Sequence, residues 1–292
     1  MRWATLDVFD SEQTQEDAAC SIPAPDRTAW SASRAEGNLN QDWLPLTLHL
    51  PKQAIRAGAA RHGRVSIENS LLAAIPRSDY RRLLPRMEAV TLAFGDVLYE
   101  PGAAIRHVYF PGNAMLSLLT LADGHLALEV GLIGREGMLG LPLVLGSKVS
   151  PVRVLVQGAG SALRMTAASF MREFRVNAPL RRELYGYTYA LMNQVSQTAA
   201  CNRFHVVEQR LARWLLMTQD RVRTDAFHMT HDFLSNMLGV RRVGVTEAAQ
   251  VLQKRRLIDY SRGNITILDR TGLESAACAC YDVVRGMHEP RR

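Results

Sequence analysis

Residues 230–268 read THDFLSNMLGVRRVGVTEAAQVLQKRRLIDYSRGNITIL. Phe233, Leu234, Met237 and Leu238 recur at helical spacing and give a first short helix one apolar face. Thr230 stands where a side-chain oxygen accepts a hydrogen bond from a free N–H of the first turn. Gly239 follows, the residue type that tolerates the left-handed backbone of a helix end. A second helix is predicted to begin near Arg241 or Arg242, with Val245, Ala248 or Ala249, and Leu252 inward. Leu257 and Ile258 start a strand, Ser261-Arg262-Gly263-Asn264 supplies turn chemistry, and Ile265–Leu268 returns. Two helices around a glycine turn with a hairpin behind them form a winged helix-turn-helix. A plain packing hairpin is the alternative, and the appended wing counts against it.

That motif implies double-stranded DNA as a partner. Arg241, Arg242, Val243, Thr246, Glu247 and Gln250 are left facing outward as candidate base contacts. Arginine can bind guanine through two hydrogen bonds, and glutamine can do the same for adenine. Thr230, Lys254, Arg255 and Arg262 are candidate phosphate contacts. Charge agrees with this assignment. The chain carries a formal +7, and residues 203–262 hold 11 Lys or Arg against 6 Asp or Glu. The excess therefore concentrates in and just before the motif, as binding to a polyanion requires. A solvated basic face would show the same count.

Before the motif, residues 166–204 also have helical period. Asn177-Ala178-Pro179 caps and opens a long helix that runs to about Phe204. Leu184, Tyr187, Leu191, Gln194, Thr198 and Cys201 fall at 3–4 spacing and are assigned to a dimer interface. Tyr185, Met192, Val195 and Ala199 mark a second face. Two apolar faces imply two packing partners, here a sheet and the same helix of a second subunit. A single helix buried inside one domain is the other reading. Val206 to Arg221 continues as an amphipathic helix with Val207, Leu211, Trp214, Leu215 and Thr218 inward.

From Glu88 to Met165 short apolar runs alternate with breaks at Gly95, Pro101-Gly102, Pro111-Gly112, Asp123-Gly124, Gly134 and Gly158–Gly160. That texture predicts an all-β roll, with Asp123-Gly124 as a hairpin turn. Asn69 to Leu84 suggests short helices interrupted at Pro76. The predicted fold class is therefore α+β: an N-terminal β-roll (a double-stranded, jelly-roll-like domain), a long dimerisation helix and a C-terminal winged helix-turn-helix. The expected division is an extension of little order over 1–66, the roll over 67–177, the long helix over 178–204, the winged domain over 205–282 and a tail over 283–292. Within the extension, Trp30, Trp43 and a strand over Leu44–Leu50 are local candidates for order.

Other chemistries find little support. No apolar run approaches the ~18 residues needed to span a membrane, and no secretory signal opens the chain, so a cytoplasmic protein is expected. Cys20, Cys201, Cys278 and Cys280 are too few and too scattered for a disulfide framework and read as small buried hydrophobes. No metal, iron–sulfur or haem site is expected, because His107, His125, His205, His228 and His231 show no ligand pattern. Gly131, Gly134, Gly137 and Gly140 lack the helix-opening context of a nucleotide fingerprint. No nucleophile–base or carboxylate pair stands at catalytic spacing, so an enzyme is not expected.

The order of roll, long helix and winged motif resembles the Crp/Fnr family of bacterial transcription regulators over residues 67–280. FGDVLYEPGAAIRHVYF, GREGMLGLP and EQRLARWLL carry the resemblance alongside the motif itself. It implies a homodimer on a palindromic operator, recognition helices ~34 Å apart in successive major grooves, and a sensory roll. RNA polymerase is a further candidate partner. Arg242 matches a base-contacting arginine of the family, whereas Val243 and Glu247 replace its frequent glutamate and a second arginine. The operator should therefore differ.

Arg135, Glu136, Met138, Leu139, Gly140, Arg153, Val195 and Ser196 are the candidate ligand-pocket residues by the same resemblance. Met138 stands in place of the family's ribose-binding glutamate, and the phosphate-binding Arg-Ser pair is replaced around Pro151 and Val152. Two lost charge-assisted hydrogen bonds, roughly 1.5–3 kcal/mol each, weaken binding by about 100-fold or more. Cyclic AMP is thus not expected to be a tight ligand, and the roll's signal is left unnamed. A sensor that acts through protein partners, with a degraded DNA-binding head, is the alternative function.

Overall fold

The computed structural model describes residues 56–57, 69–122 and 126–288. Expectations for Cys20, Trp30, Trp43, Leu44–Leu50, the Asp123-Gly124 turn and His125 fall outside them. Within the stretch read as an extension, β1 (Arg56–Ala57) pairs antiparallel with the strand at Glu88–Leu92.

Asn69 caps α1 (Ser70–Ala74) by accepting from the Leu72 N–H, and its buried Nδ2 donates to the Pro111 and Gly137 carbonyls. Pro76 then separates α1 from α2 (Arg77–Leu83), because the residue before a proline is pushed to extended backbone. The roll follows as β2 (Glu88–Leu92), β3 (Val97–Tyr99), β4 (His107–Pro111), β5 (Met115–Ala122), β6 (Leu126–Ile133), a one-turn α3 (Leu141–Val144), β7 (Arg153–Gly158) and β8 (Gly160–Thr166). These strands pair antiparallel in two four-stranded sheets, ordered β1-β2-β8-β4 and β3-β7-β5-β6. Between them lies a core that includes Leu92, Val108, Phe110, Leu116, Met138, Val156 and Met165.

Thr166 caps α4 (Ala167–Val176), and Asn177 caps α5 (Ala178–Phe204) through the Leu180 N–H. Gln194 of α5 reaches the sheet edge, accepting from the Leu132 N–H at 2.7 Å and donating to the Leu132 carbonyl at 3.2 Å. This contact corrects the assignment of the α5 faces. Leu184, Tyr187, Gln194, Thr198 and Cys201 are buried within the chain, and Leu191 packs partly buried beside them. They cannot meet a second subunit while so packed. Exposed instead are Arg182, Tyr185, Tyr189, Met192, Ser196, Ala199 and Arg203, an unbroken alternation of three- and four-residue steps.

The C-terminal part comprises α6 (Val207–Val222), β9 (Ala226–His228), α7 (His231–Leu238), α8 (Arg242–Lys254), β10 (Ile258–Ser261), β11 (Asn264–Ile267), α9 (Arg270–Ala276) and α10 (Cys280–His288). β9 adds a third strand to the wing, pairing Phe227 with Ile265. The expected tail from residue 283 is helical through His288 and belongs to α10, whose Val284 is buried with this part of the core. That core does not stop at the domain boundary. Met115, Leu119, Leu132 and Leu155 of the second sheet join Leu211, Trp214 and Leu215 of α6 in one apolar cluster. The winged domain is therefore docked on the roll. Among the described residues, no helix is long and apolar enough to cross a membrane.

Candidate nucleic-acid interface

The helix-turn-helix forms as its residues dictate. Thr230 Oγ1 accepts from the Phe233 N–H, and Gly239 ends α7 at φ 61°, where a side chain would be strained. A Cβ at Gly239 would also approach the Leu128 side chain of β6 to 2.6 Å. Val245, Ala248, Ala249 and Leu252 pin α8 by one stripe, which leaves Arg241, Arg242, Val243, Glu247 and Gln250 exposed. At the wing tip Arg262 and Gly263 both have positive φ, 51° and 82°, the geometry of a two-residue hairpin turn matched to strand twist. This turn holds Arg262 away from the protein body.

Between α7, α8 and the wing lies a concavity of about 510 Å³. Thr230, Arg242, Thr246, Gln250 and Arg262 line it, so five sequence-assigned residues meet on one surface. His231, Asp232, Gln253 and Tyr260 line it as well and were not anticipated. Arg242 Nε stands 3.4 Å from Asp232 Oδ1, with both side chains largely in solvent, a pairing worth little in water and easily exchanged for phosphate or base. Thr246 Oγ1 lies 2.9 Å from His231 Nδ1, and the His231 ring packs edge-on against Tyr260 at 4.5 Å. Burial, followed by the Arg242 charge, lowers the His231 pKa and favours its neutral form. His231 and Tyr260 thus brace α8 against the wing. Alternation along β10 was the signal that could have found Tyr260.

Not every assigned residue joins this surface. Arg255 is ion-paired with Glu208 of α6 at 2.9 Å, and neither it nor Lys254 lines the concavity. Val243 and Glu247 are exposed on α8 outside its lining.

The candidate ligand-pocket residues are dispersed. Met138, Leu139 and Gly140 are buried in the roll core. Arg153 turns to Glu100 at 2.8 Å. Arg135 and Glu136 line a surface concavity of about 240 Å³ with Asp220, Arg221 and Arg285. Val195 is partly buried, and exposed Ser196 donates to the Met192 carbonyl of its own helix. Beside Met138, the Tyr187 ring sits so close to Gly137 that a Cβ there would lie 2.1 Å away. The protein's own aromatic ring occupies the space beside the GREGMLG turn.

Where the winged domain meets the roll, polar groups are buried among apolar ones. Trp214 Nε1 donates to Glu129 Oε1 at 2.9 Å, and Ser117 Oγ donates to Glu129 Oε2 at 2.7 Å. Arg221 Nε donates to Glu136 Oε1 at 2.8 Å, with both side chains largely buried. Phe94 of the roll lies 5.8 Å from the Phe233 ring of α7. These contacts tie the start of α7 and the length of α6 to the sheet.

Comparison with known proteins agrees with this geometry. Residues 209–276 match the Crp-like helix-turn-helix domain. A structure described as a Crp/Fnr-family transcriptional regulator from Eubacterium rectale superposes with TM-score 0.57 at 17% identity, over 72% of this chain and 99% of that one. FixK2 of Bradyrhizobium japonicum gives 0.57 at 13% identity, over 66% and 98%. The c-di-GMP responsive global regulator CLP of Xanthomonas campestris gives 0.56 at 14% identity, over 66% and 99%. No match is found among curated proteins.

Proposed function

We propose that this chain, which has the fold of Crp/Fnr regulators and carries a Crp-like helix-turn-helix domain at residues 209–276, is a sequence-specific DNA-binding transcription regulator acting as a homodimer. The concavity between α7, α8 and the wing carries the reading. It presents Arg242, Thr246 and Gln250 from one face of α8 and Arg262 from the wing tip. The helix residues suit base edges in a major groove, and the wing arginine suits the flanking backbone.

Mobility shift with fragments selected from a random DNA pool tests this. Binding should keep its preference for one palindrome while affinity falls steeply with salt. Arg242→Ala is expected to cost about 1–3 kcal/mol and to relax discrimination at one or two base pairs. Unchanged specificity would rule this arginine out as a base reader. Adding cyclic AMP is expected to leave the shift unaltered, because Met138 supplies no carboxylate and Tyr187 fills the neighbouring space.

The exposed seam of α5 supports the dimer. Tyr185, Tyr189 and Met192 are 54%, 59% and 63% exposed along a seam of coiled-coil spacing. Two such helices packed seam to seam would bury these side chains and present two copies of α8. Met192→Glu places like charges across the seam and is expected to turn a dimer into a monomer in sedimentation equilibrium. A variant that stays dimeric would move the interface elsewhere.

A further inference from the structure

Four donor atoms that DNA binding leaves unused meet at the end of α5. Cys201 lies in the last turn of α5, and His205 caps that helix one turn later. Cys278 precedes α10, and Cys280 begins it. Cys201 Sγ is 3.5 Å from Cys278 Sγ, and Cys280 Sγ is 3.5 Å from His205 Nδ1. All four ligand atoms lie within 4.8 Å of one another. The three thiols are buried, as small apolar side chains would be, while His205 is partly exposed.

We propose that Cys201, His205, Cys278 and Cys280 bind one tetrahedral, thiophilic divalent cation of the zinc class. Zinc bonds of ~2.3 Å to sulfur and ~2.0–2.1 Å to imidazole nitrogen set donor atoms roughly 3.5–3.8 Å apart around one ion. Two separations already have that value, and small side-chain rotations bring the others to it. A multinuclear iron–sulfur cluster distributes its thiolates over separate irons and suits this tight grouping less well. A Cys201–Cys278 disulfide would leave the other two donors without a role.

The surroundings point to the same charge. Three thiolates and a neutral imidazole around a divalent cation carry a net charge of −1. Arg213 is 5% exposed and lies within electrostatic reach of Cys201, and its Nε and Nη1 have no hydrogen-bond partner among the described residues. A buried guanidinium with unmet donors is costly, and an anionic centre beside it lowers that cost. Gln197 Nε2 donates to Cys280 Sγ at 3.0 Å, the kind of outer contact that orients a ligating thiolate. The partly exposed His205 side is the route of entry. Each thiol gives its proton to solvent as its metal–sulfur bond forms, and no electrons are transferred. The ion would tie α10 to the joint between the long helix and the winged domain.

Cobalt(II) titration of the reduced, chelator-treated full chain tests the site, with elemental analysis after zinc loading. The expected result is one ion per chain, with tetrahedral ligand-field bands and sulfur-to-cobalt charge transfer. Cys278→Ser should weaken binding by about 100-fold or more, whereas Cys20→Ser should not change it. His205→Ala probes a partly exposed ligand without disturbing the thiol cluster. Absence of the cobalt bands, retention of full affinity in both Cys278→Ser and His205→Ala, or iron with acid-labile sulfide in place of a single ion would each overturn the assignment.

Discussion

Trp214→Ala is expected to cost about 3–5 kcal/mol of stability, the range for removing a large aromatic from a packed core. Trp214 is 2% exposed and stands in the apolar cluster shared by α6 and the second sheet of the roll. Its removal opens a cavity at the docking surface and leaves Glu129 without one of its two donors. The damage should appear as a split. Denaturant unfolding of the native chain is expected to be one transition across the roll and winged domain. In the variant the winged domain should melt first. A loss below about 1 kcal/mol, with the single transition kept, would show that the tryptophan does not couple the two parts. Trp214→Phe keeps most of the packing and isolates the hydrogen bond.

Glu129→Gln is expected to remove a pH dependence centred on that same contact. Burial pushes the Glu129 carboxyl up to about 7, against the hydrogen bonds from Ser117 and Trp214 and the charges of Arg213 and Arg221. A folded pKa above the unfolded one means that the folded state holds a proton which the unfolded chain has released. The contribution to stability is therefore full below about pH 4.5 and is lost as pH rises to about 7. The loss amounts to roughly 3 kcal/mol. Glutamine keeps the geometry, with its oxygen accepting from Trp214 and its amide donating to Ser117, and it does not ionise. The variant should match the native protein at pH 4 and exceed it by up to about 3 kcal/mol at pH 8. Equal differences at both pH values in denaturant titrations would contradict the shift. Since Glu129 and Trp214 touch, their effects should not be additive, and a double-mutant cycle measures that coupling.

Much of the architecture was legible along the chain because it rests on local chemistry. Thr230, Gly239 and Asn177-Ala178-Pro179 mark helix ends through caps and backbone preference, and the observed α5, α7 and α8 start or stop beside them. The strands of the roll follow the apolar runs between glycine and proline breaks for the same reason. Arg242, Thr246 and Gln250 share one surface because one buried stripe on α8 turns the others outward together, while Thr230 and Arg262 join them from the α7 cap and the wing tip.

What stayed hidden depended on which surfaces meet. Periodicity shows that α5 has two apolar faces but not what covers each, and only the sheet edge at Leu132 draws Gln194 inward and leaves the Tyr185–Met192 seam in solvent. Strand β9 was missed because its three residues acquire a pairing partner only when β11 lies alongside. The resemblance placed a ligand pocket, yet its residues are dispersed over the roll and α5, and Tyr187 fills the space beside Gly137. Cys201 and His205 are one helical turn apart, but their companions Cys278 and Cys280 lie more than seventy residues further along the chain. Local propensity, capping and hydrophobic period are properties of neighbouring residues, so the elements, their order and the outward face of α8 could be read along the chain. Which face is covered, which carboxylate is desolvated and which thiols meet depend on long-range packing, because each is set by residues far apart in the chain that come together only on folding.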